Sequence, residues 1–128
     1  VKPAALGTLP GNVEVHAHVD QIAVLQIADV FLTHCGMNSA SEALYFGVPL
    51  VMFPQTPEQG GVCTRVLQLG AGLKLDKPEA GSIRKAIENV LQSPVYREKA
   101  AKIAEGFHRC KGAKGAAEKI LEVISTEK

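Results

Sequence analysis

The residues best suited to chemistry stand in one loop, Thr33 to Ser39, between an apolar segment and a helical pattern. Gly36 lets a backbone approach a ligand closely, and Asn38 and Ser39 offer side-chain donors beside the free N–H groups of a helix start. A helix start carries about half a positive charge. The His34 ring adds an N–H donor that can bind an anion without full protonation of the ring. The loop therefore predicts a site for a diphosphate held without a metal ion.

Two further groups could bind hydroxyls. Glu42 lies one helical turn past Asn38, where a carboxylate can accept hydrogen bonds from a ribose. Glu58 and Gln59 end a polar loop that begins at Pro54, and an acid beside an amide suits a polyhydroxylated ring. Structural alternatives stay open, because Glu42 with Ser39 matches a capping box and Glu58 can cap the following helix.

The elements that position these loops alternate between short apolar segments and helical patterns. Strands are predicted at 12–15, 30–33, 50–53 and 72–75, and helices at 21–28, from Asn38 or Ser39 to Gly47, and at 60–69, 79–92, 94–109 and 113–124. This order predicts an α/β fold, three-layer αβα with a parallel sheet and extra helices at the C-terminus. Ligands bind beyond the carboxyl ends of such strands, where both polar loops fall.

The domain organisation follows from the strand count and the first residue. Doubly wound nucleotide-binding sheets have five or six strands, whereas four are predicted, and the chain begins with Val1. We expect residues 1–128 to form a single, N-terminally truncated domain. The GxGxxG and Walker patterns are absent from the sequence, which leaves dinucleotide and P-loop sites unsupported.

Composition excludes several classes of protein. Hydrophobic residues make up 46% of the chain and no window is long and apolar enough for a membrane span. A net charge of +1 and 5% aromatic residues without Trp give no sign of nucleic-acid binding. Cys35, Cys63 and Cys110 lack CxxC spacing, which argues against disulfides and zinc and favours reduced thiols in a cytoplasmic protein.

The stretch from Phe31 to Ser39, Glu42, Gly47-Val48-Pro49 and the loop from Pro54 to Gln59 together carry a resemblance. They resemble the donor-binding signature of nucleotide-sugar-dependent glycosyltransferases, most of all the bacterial macrolide group. The resemblance implies the C-terminal, Rossmann-like domain of a glycosyltransferase B-type fold, in which the N-terminal domain binds the acceptor and supplies the general base. It implies transfer of a hexose, with inversion, from a UDP- or TDP-sugar to a hydroxyl of a small apolar acceptor.

The resemblance also implies a role for each site residue. By this resemblance, the loop of His34, Gly36 and Met37 would contact the diphosphate, and Asn38 and Ser39 would bind a phosphate. Glu42 would bind the ribose, and Glu58 and Gln59 would bind hydroxyls of the sugar. The nucleobase, uracil or thymine, would lie against His18, Val19 and Gln21. Family members begin this stretch with an aromatic residue, and the His18 ring would stack on the nucleobase with less area than Trp.

Some expectations concern what the chain does alone. The catalytic residues are unknown. His16, His18 and His108 are general-base candidates by residue type only, and His108 is predicted to be a solvated surface residue. His34 as the base is an alternative to its preferred role at the phosphate. No permanently bound cofactor and no metal are expected, and the isolated chain is expected to be inactive and able to self-associate. A UDP-sugar epimerase of the same fold and a non-enzymatic nucleotide-binding module remain alternatives.

Overall fold

The computed structural model describes residues 10–109. Its sheet consists of three short parallel strands, in the spatial order β1 (Phe31–Thr33), β2 (Leu50–Met52) and β3 (Gly72–Lys74). The central residues of the strands, Leu32, Val51 and Leu73, lie opposite one another. The helices of the described part are α1 (Gln21–Leu25), α2 (Met37–Tyr45), α3 (Pro57–Leu69), α4 (Ala80–Gln92) and α5 (Pro94–His108).

The side chains of β2 alternate between two hydrophobic clusters, one on each face of the sheet. Leu50 and Met52 belong to the larger cluster, which includes residues of α2, α3 and α5. Val51 belongs to the smaller cluster, together with Val90 of α4. Helices therefore cover both faces of β2, and the predicted three-layer α/β fold is confirmed, with α4 and α5 following the last strand.

The predicted strand at 12–15 is wrong. Val13 donates its backbone N–H to the carbonyl of Pro10 in a turn and is 44% exposed. An extended segment becomes a strand only when a neighbouring strand takes up its hydrogen bonds, and no described strand lies beside this segment. The described sheet therefore has three strands rather than the four predicted.

Several predicted boundaries change. The helix at 21–28 ends at Leu25. The helix predicted from 60 begins at Pro57, because the Thr56 side chain caps it and Pro fits a first helical position. As predicted it ends before Gly70, whose φ of 74° suits a residue without a side chain. The helix predicted at 113–124 and Cys110 lie outside the described residues. Within residues 10–109, no helix is long and apolar enough to cross a membrane.

Candidate functional site

A cavity of about 400 Å³ opens at the carboxyl ends of the strands. Its polar lining residues are Gln21, Thr33, His34, Ser39 and Gln55, and its apolar ones are Phe31, Leu32, Phe53, Leu75, Pro78 and Ile83. None of these described lining residues is Lys or Arg. A bound anion would therefore depend on backbone N–H groups and on the His34 ring.

The loop between β1 and α2 turns sharply below this cavity. Thr33 is buried, and its Oγ1 accepts a hydrogen bond of 3.1 Å from the Cys35 N–H. Cys35 has a φ of 73°, in the left-handed region that residues other than Gly rarely adopt. Such a conformation costs about 1 kcal/mol or more and is most frequent at functional sites. The turn brings His34 and Gly36 to the start of α2.

The start of α2 has no side-chain cap. Gly36 is the N-cap residue, and no side chain of the described residues caps this helix. The prediction that Asn38 or Ser39 caps the helix is wrong, because the helix begins at Met37 and places both residues in its first turn. The N–H groups of Met37, Asn38 and Ser39 precede the first intrahelical bond, which Ala40 donates to Gly36. They form an uncapped donor set.

His34 lies beside this donor set. A Cβ atom placed on Gly36 would be 3.5 Å from the His34 Nε2 atom, so the ring is next to the N-cap position. The His34 side chain is exposed and lines the cavity. The predicted grouping of His34 with Gly36, Asn38 and Ser39 is thus present in the structure.

Gln21 links α1 to α2. Its Nε2 atom donates to Glu42 Oε2 at 2.6 Å and lies 3.4 Å from Ser39 Oγ. The capping-box alternative for Ser39 and Glu42 is wrong, because Ser39 is not the N-cap residue and the Glu42 carboxylate points to Gln21. The structure thereby brings three predicted site residues together, although 21 positions separate Gln21 from Glu42.

The loop between β2 and α3 has its own capping arrangement. Thr56 Oγ1 accepts from the Gln59 N–H at 3.2 Å, and Gln59 Oε1 accepts from the Gln55 N–H at 2.8 Å. Thr56, not Glu58, is therefore the capping residue. Glu58 is exposed in the first turn of α3, where a negative charge favours the helix dipole. Gln59 is therefore hydrogen-bonded to Gln55, which lines the cavity.

The remaining predicted site residues lie at the periphery. His18 and Val19 are exposed in the segment before α1 and are not among the described residues that line the cavity. Thr33 and Gln55 also line the cavity, although the sequence analysis placed them in the two polar loops without giving them a role, and the apolar wall that follows β3 was not predicted. That wall could have been found from the rule that the carboxyl ends of neighbouring parallel strands share one edge.

The buried cysteines are unsuited to nucleophilic chemistry. Cys35 and Cys63 are free and buried. Burial, reinforced by the nearby Cys63 thiol, raises the pKa of Cys35 to about 11. Burial also raises the pKa of Cys63, against an opposing effect of Lys74. Both thiols stay protonated at neutral pH, and only a thiolate is a strong nucleophile.

Two features lie away from this cavity. His108 is exposed, as predicted, but it is not merely solvated: its Nε2 atom is 2.9 Å from the Tyr45 carbonyl oxygen and its ring packs on the Tyr45 ring at 4.5 Å. A second cavity, of about 370 Å³, involves Asp29, Pro49 and Arg97 near the amino ends of the strands. It contains none of the predicted site residues.

Fold and site together define a class: a parallel α/β domain with an uncapped helix start at the carboxyl edge of its sheet. Residues 2–115 match the family described as "Erythromycin biosynthesis protein CIII-like, C-terminal domain", and the chain belongs to this family.

Similar proteins agree with this assignment. The chain is 37% identical over 126 residues to the uncharacterized UDP-glucosyltransferase YojK of Bacillus subtilis, a match that covers 97% of this chain and 31% of YojK. It is 44% identical over 80 residues to oleandomycin glycosyltransferase of Streptomyces antibioticus, covering 62% and 19%. The crystal structure of the calicheamicin glycosyltransferase CalG4 superposes with a TM-score of 0.82 at 34% identity, covering 98% of this chain and 32% of CalG4.

The comparisons confirm the resemblance and the fold predicted from the sequence. The relatives and structural neighbours include a UDP-glucosyltransferase and glycosyltransferases named for oleandomycin and calicheamicin. The chain spans about a third of the length of the first of these curated relatives.

Proposed function

We propose that this chain is the donor-binding part of an inverting glycosyltransferase that moves a hexose from a UDP- or TDP-sugar to a hydroxyl of a small apolar acceptor. The observation that carries the proposal is the uncapped start of α2, with His34 beside it, at the mouth of the cavity. The family and its glycosyltransferase members support the same function.

The donor domain acts through electrostatics. The N–H groups at the start of α2, with Asn38, Ser39 and His34, would stabilise the negative charge that grows on the leaving diphosphate. Preorganised donors of this kind do such work without rearranging during the reaction. We propose that this stabilisation of charge needs no metal ion and that the domain has no permanently bound cofactor.

The other parts of the donor extend from this point along the sheet edge. Glu42 would accept hydrogen bonds from the ribose, and its bond to Gln21 holds the carboxylate in place. Glu58 and Gln59, at the start of α3, would bind hydroxyls of the sugar. The nucleobase would lie against His18 and Val19, in the segment that leads into α1, and against Gln21, the first residue of α1.

The transfer step needs a second domain. A base deprotonates the acceptor hydroxyl, whose oxygen attacks C1 of the sugar from the face opposite the diphosphate, so that the C1–O bond to the diphosphate breaks. We assign the general base and the acceptor pocket to an N-terminal domain of the full-length protein, since the chain spans 31% of its relative YojK. The isolated chain is then inactive and free to self-associate. The buried free thiols of Cys35 and Cys63 support a cytoplasmic location.

Because the relatives reported above are glycosyltransferases, they do not favour the epimerase alternative. A non-enzymatic module would bind the same nucleotide. An assay of sugar transfer by the full-length protein distinguishes a glycosyltransferase from such a module, because the module turns over no donor.

Calorimetric titration of the chain with UDP and with UMP tests the proposal. We expect UDP to bind at least about tenfold more tightly, because only its second phosphate reaches the donors at the start of α2; one charge-assisted hydrogen bond is worth about 1.5–3 kcal/mol. His34→Ala removes a ring donor beside these N–H groups and should reduce this advantage, whereas His16→Ala, at an exposed histidine before α1, should leave it unchanged. Equal affinities for UDP and UMP would contradict the proposal.

A further inference from the structure

The described residues include four sulfur-containing side chains, and Met37 is the one that solvent reaches. Met37 is 47% exposed, whereas Met52 of the central strand, Cys35 and Cys63 are all buried. Both thiols also stay protonated at neutral pH, which makes them slow to react with an oxidant. Among these four side chains, an oxidant in solution therefore attacks the Met37 thioether first.

Met37 is also the first residue of α2, at the helix start proposed for the diphosphate. Its backbone N–H belongs to the donor set of Met37, Asn38 and Ser39, which no side chain of the described residues caps. Side chains in a helix lean toward the N-terminus of that helix, and this holds for long side chains such as Met. A strong acceptor at the end of the Met37 side chain would therefore be within reach of these free N–H groups.

Oxidation turns the Met37 side chain from a weak acceptor into a strong one. Hydrogen peroxide transfers one oxygen atom to the thioether: the O–O bond breaks, an S–O bond forms, the sulfur is oxidised by two electrons, and the second oxygen leaves as water. A thioether sulfur accepts hydrogen bonds weakly, whereas the sulfoxide oxygen is polar and carries a partial negative charge. That oxygen would compete with a phosphate oxygen for the N–H groups at the helix start.

Resting on the proposed function, we propose that Met37 is a site of reversible oxidation, at which conversion of the thioether to the sulfoxide by a peroxide weakens binding of the nucleoside diphosphate. The reverse step is the reduction of the sulfoxide by a methionine sulfoxide reductase, which takes two electrons and two protons from a dithiol and releases the oxygen as water. Because Met52 is buried in the sheet, the same oxidant spares the hydrophobic core. Oxidation therefore acts on the site and leaves the fold intact.

The test treats the chain with hydrogen peroxide and measures the masses of its peptides and its affinities for nucleotides. The chain carries Cys110→Ser, so that a thiol outside the described residues takes no part. We expect Met37 to gain one oxygen atom well before Met52 does. UDP should then bind about tenfold more weakly, as for the loss of one hydrogen bond, whereas UMP, which lacks the second phosphate, should change by less than about threefold. A methionine sulfoxide reductase should restore the affinity for UDP.

Two variants assign the effect to one residue. Met37→Leu has no thioether at the helix start, so its affinity for UDP should be the same before and after peroxide. Met52→Leu is the matched control, because it keeps Met37 and should lose affinity for UDP on oxidation as the chain with Met52 does. Circular dichroism verifies that each sample is folded.

Three results would each overturn the inference while the proposed function stands: oxidation of Met52 as fast as that of Met37, an unchanged affinity for UDP after Met37 is converted, or an equal loss for UDP and UMP. If the untreated chain bound no UDP, the proposed function would fail, and the effect on binding with it. The masses of the peptides would still decide whether Met37 is the residue that is oxidised.

Discussion

Replacing Gly36 by Asp is expected to stabilise the protein and to abolish binding of a nucleoside diphosphate. Gly36 is the N-cap residue of α2, with a φ of −61° that any residue adopts, and a Cβ there meets only His34 Nε2, at an ordinary 3.5 Å. An Asp side chain would cap the free N–H groups and complement the helix dipole, a gain of about 0.5–1 kcal/mol. Its negative charge would occupy the place proposed for the diphosphate.

The loss of affinity should be large. Two unit charges about 4 Å apart repel by about 4 kcal/mol near a protein surface, so UDP should bind at least about 100-fold more weakly. Urea unfolding measures the stability and calorimetry the affinity. Gly36→Ser is the control: its hydroxyl caps the helix without a charge, so it should cost one hydrogen bond, about tenfold in affinity, without the charge repulsion. A Gly36→Asp variant that bound UDP normally would place the diphosphate elsewhere.

Gly72→Ala is expected to have the largest effect on stability. A Cβ atom at this position of β3 would lie 2.4 Å from the Leu50 carbonyl oxygen and 3.1 Å from Met52 Cε. The oxygen belongs to the backbone of the central strand, so relief requires β3 to move away from β2. We expect a loss of about 3 kcal/mol or more in the free energy of unfolding, a large part of a typical domain's stability.

Thermal and urea unfolding measure this loss. Gly61→Ala is the matched control, because the Cβ position of Gly61 has no heavy atom within 4 Å and the residue lies inside α3. That variant should gain about 0.5–1 kcal/mol from the better helix propensity of Ala. Equal stability of the Gly72→Ala variant and the unmodified chain would show that the two strands are not packed as described.

The parts of the fold that depend on local pattern were predictable. Short, mostly apolar segments placed β1, β2 and β3 correctly within a residue or two, and the alternation with helices predicted the layers. The segment at 12–15 alternates polar and apolar residues, as many strands do, but it is no strand, because pairing with a neighbour is not a property of the segment itself.

The start of α2 shows where a capping rule misleads. Asn and Ser are favoured N-cap residues, so the sequence favoured Asn38 or Ser39 over Gly36. The helix begins two residues before Ser39, which leaves its first N–H groups without a side-chain cap among the described residues. Because no side chain forms a capping hydrogen bond there, these N–H groups are available to a ligand.

The contact between Gln21 and Glu42 was beyond prediction from one sequence. Both residues were predicted for the donor site, but for different parts of the ligand, and their direct bond depends on how α1 packs against α2. The same holds for Thr33, whose role in fixing the Cys35 turn is visible only once the loop has its shape.

A titration of the ¹⁵N-labelled chain with UDP, followed through the backbone amide signals, shows directly where the diphosphate binds. We expect saturable shifts concentrated at Met37, Asn38 and Ser39, with smaller changes at Gln21 and Glu42. An absence of shifts at the start of α2, or shifts confined to the second cavity near Arg97, would contradict it.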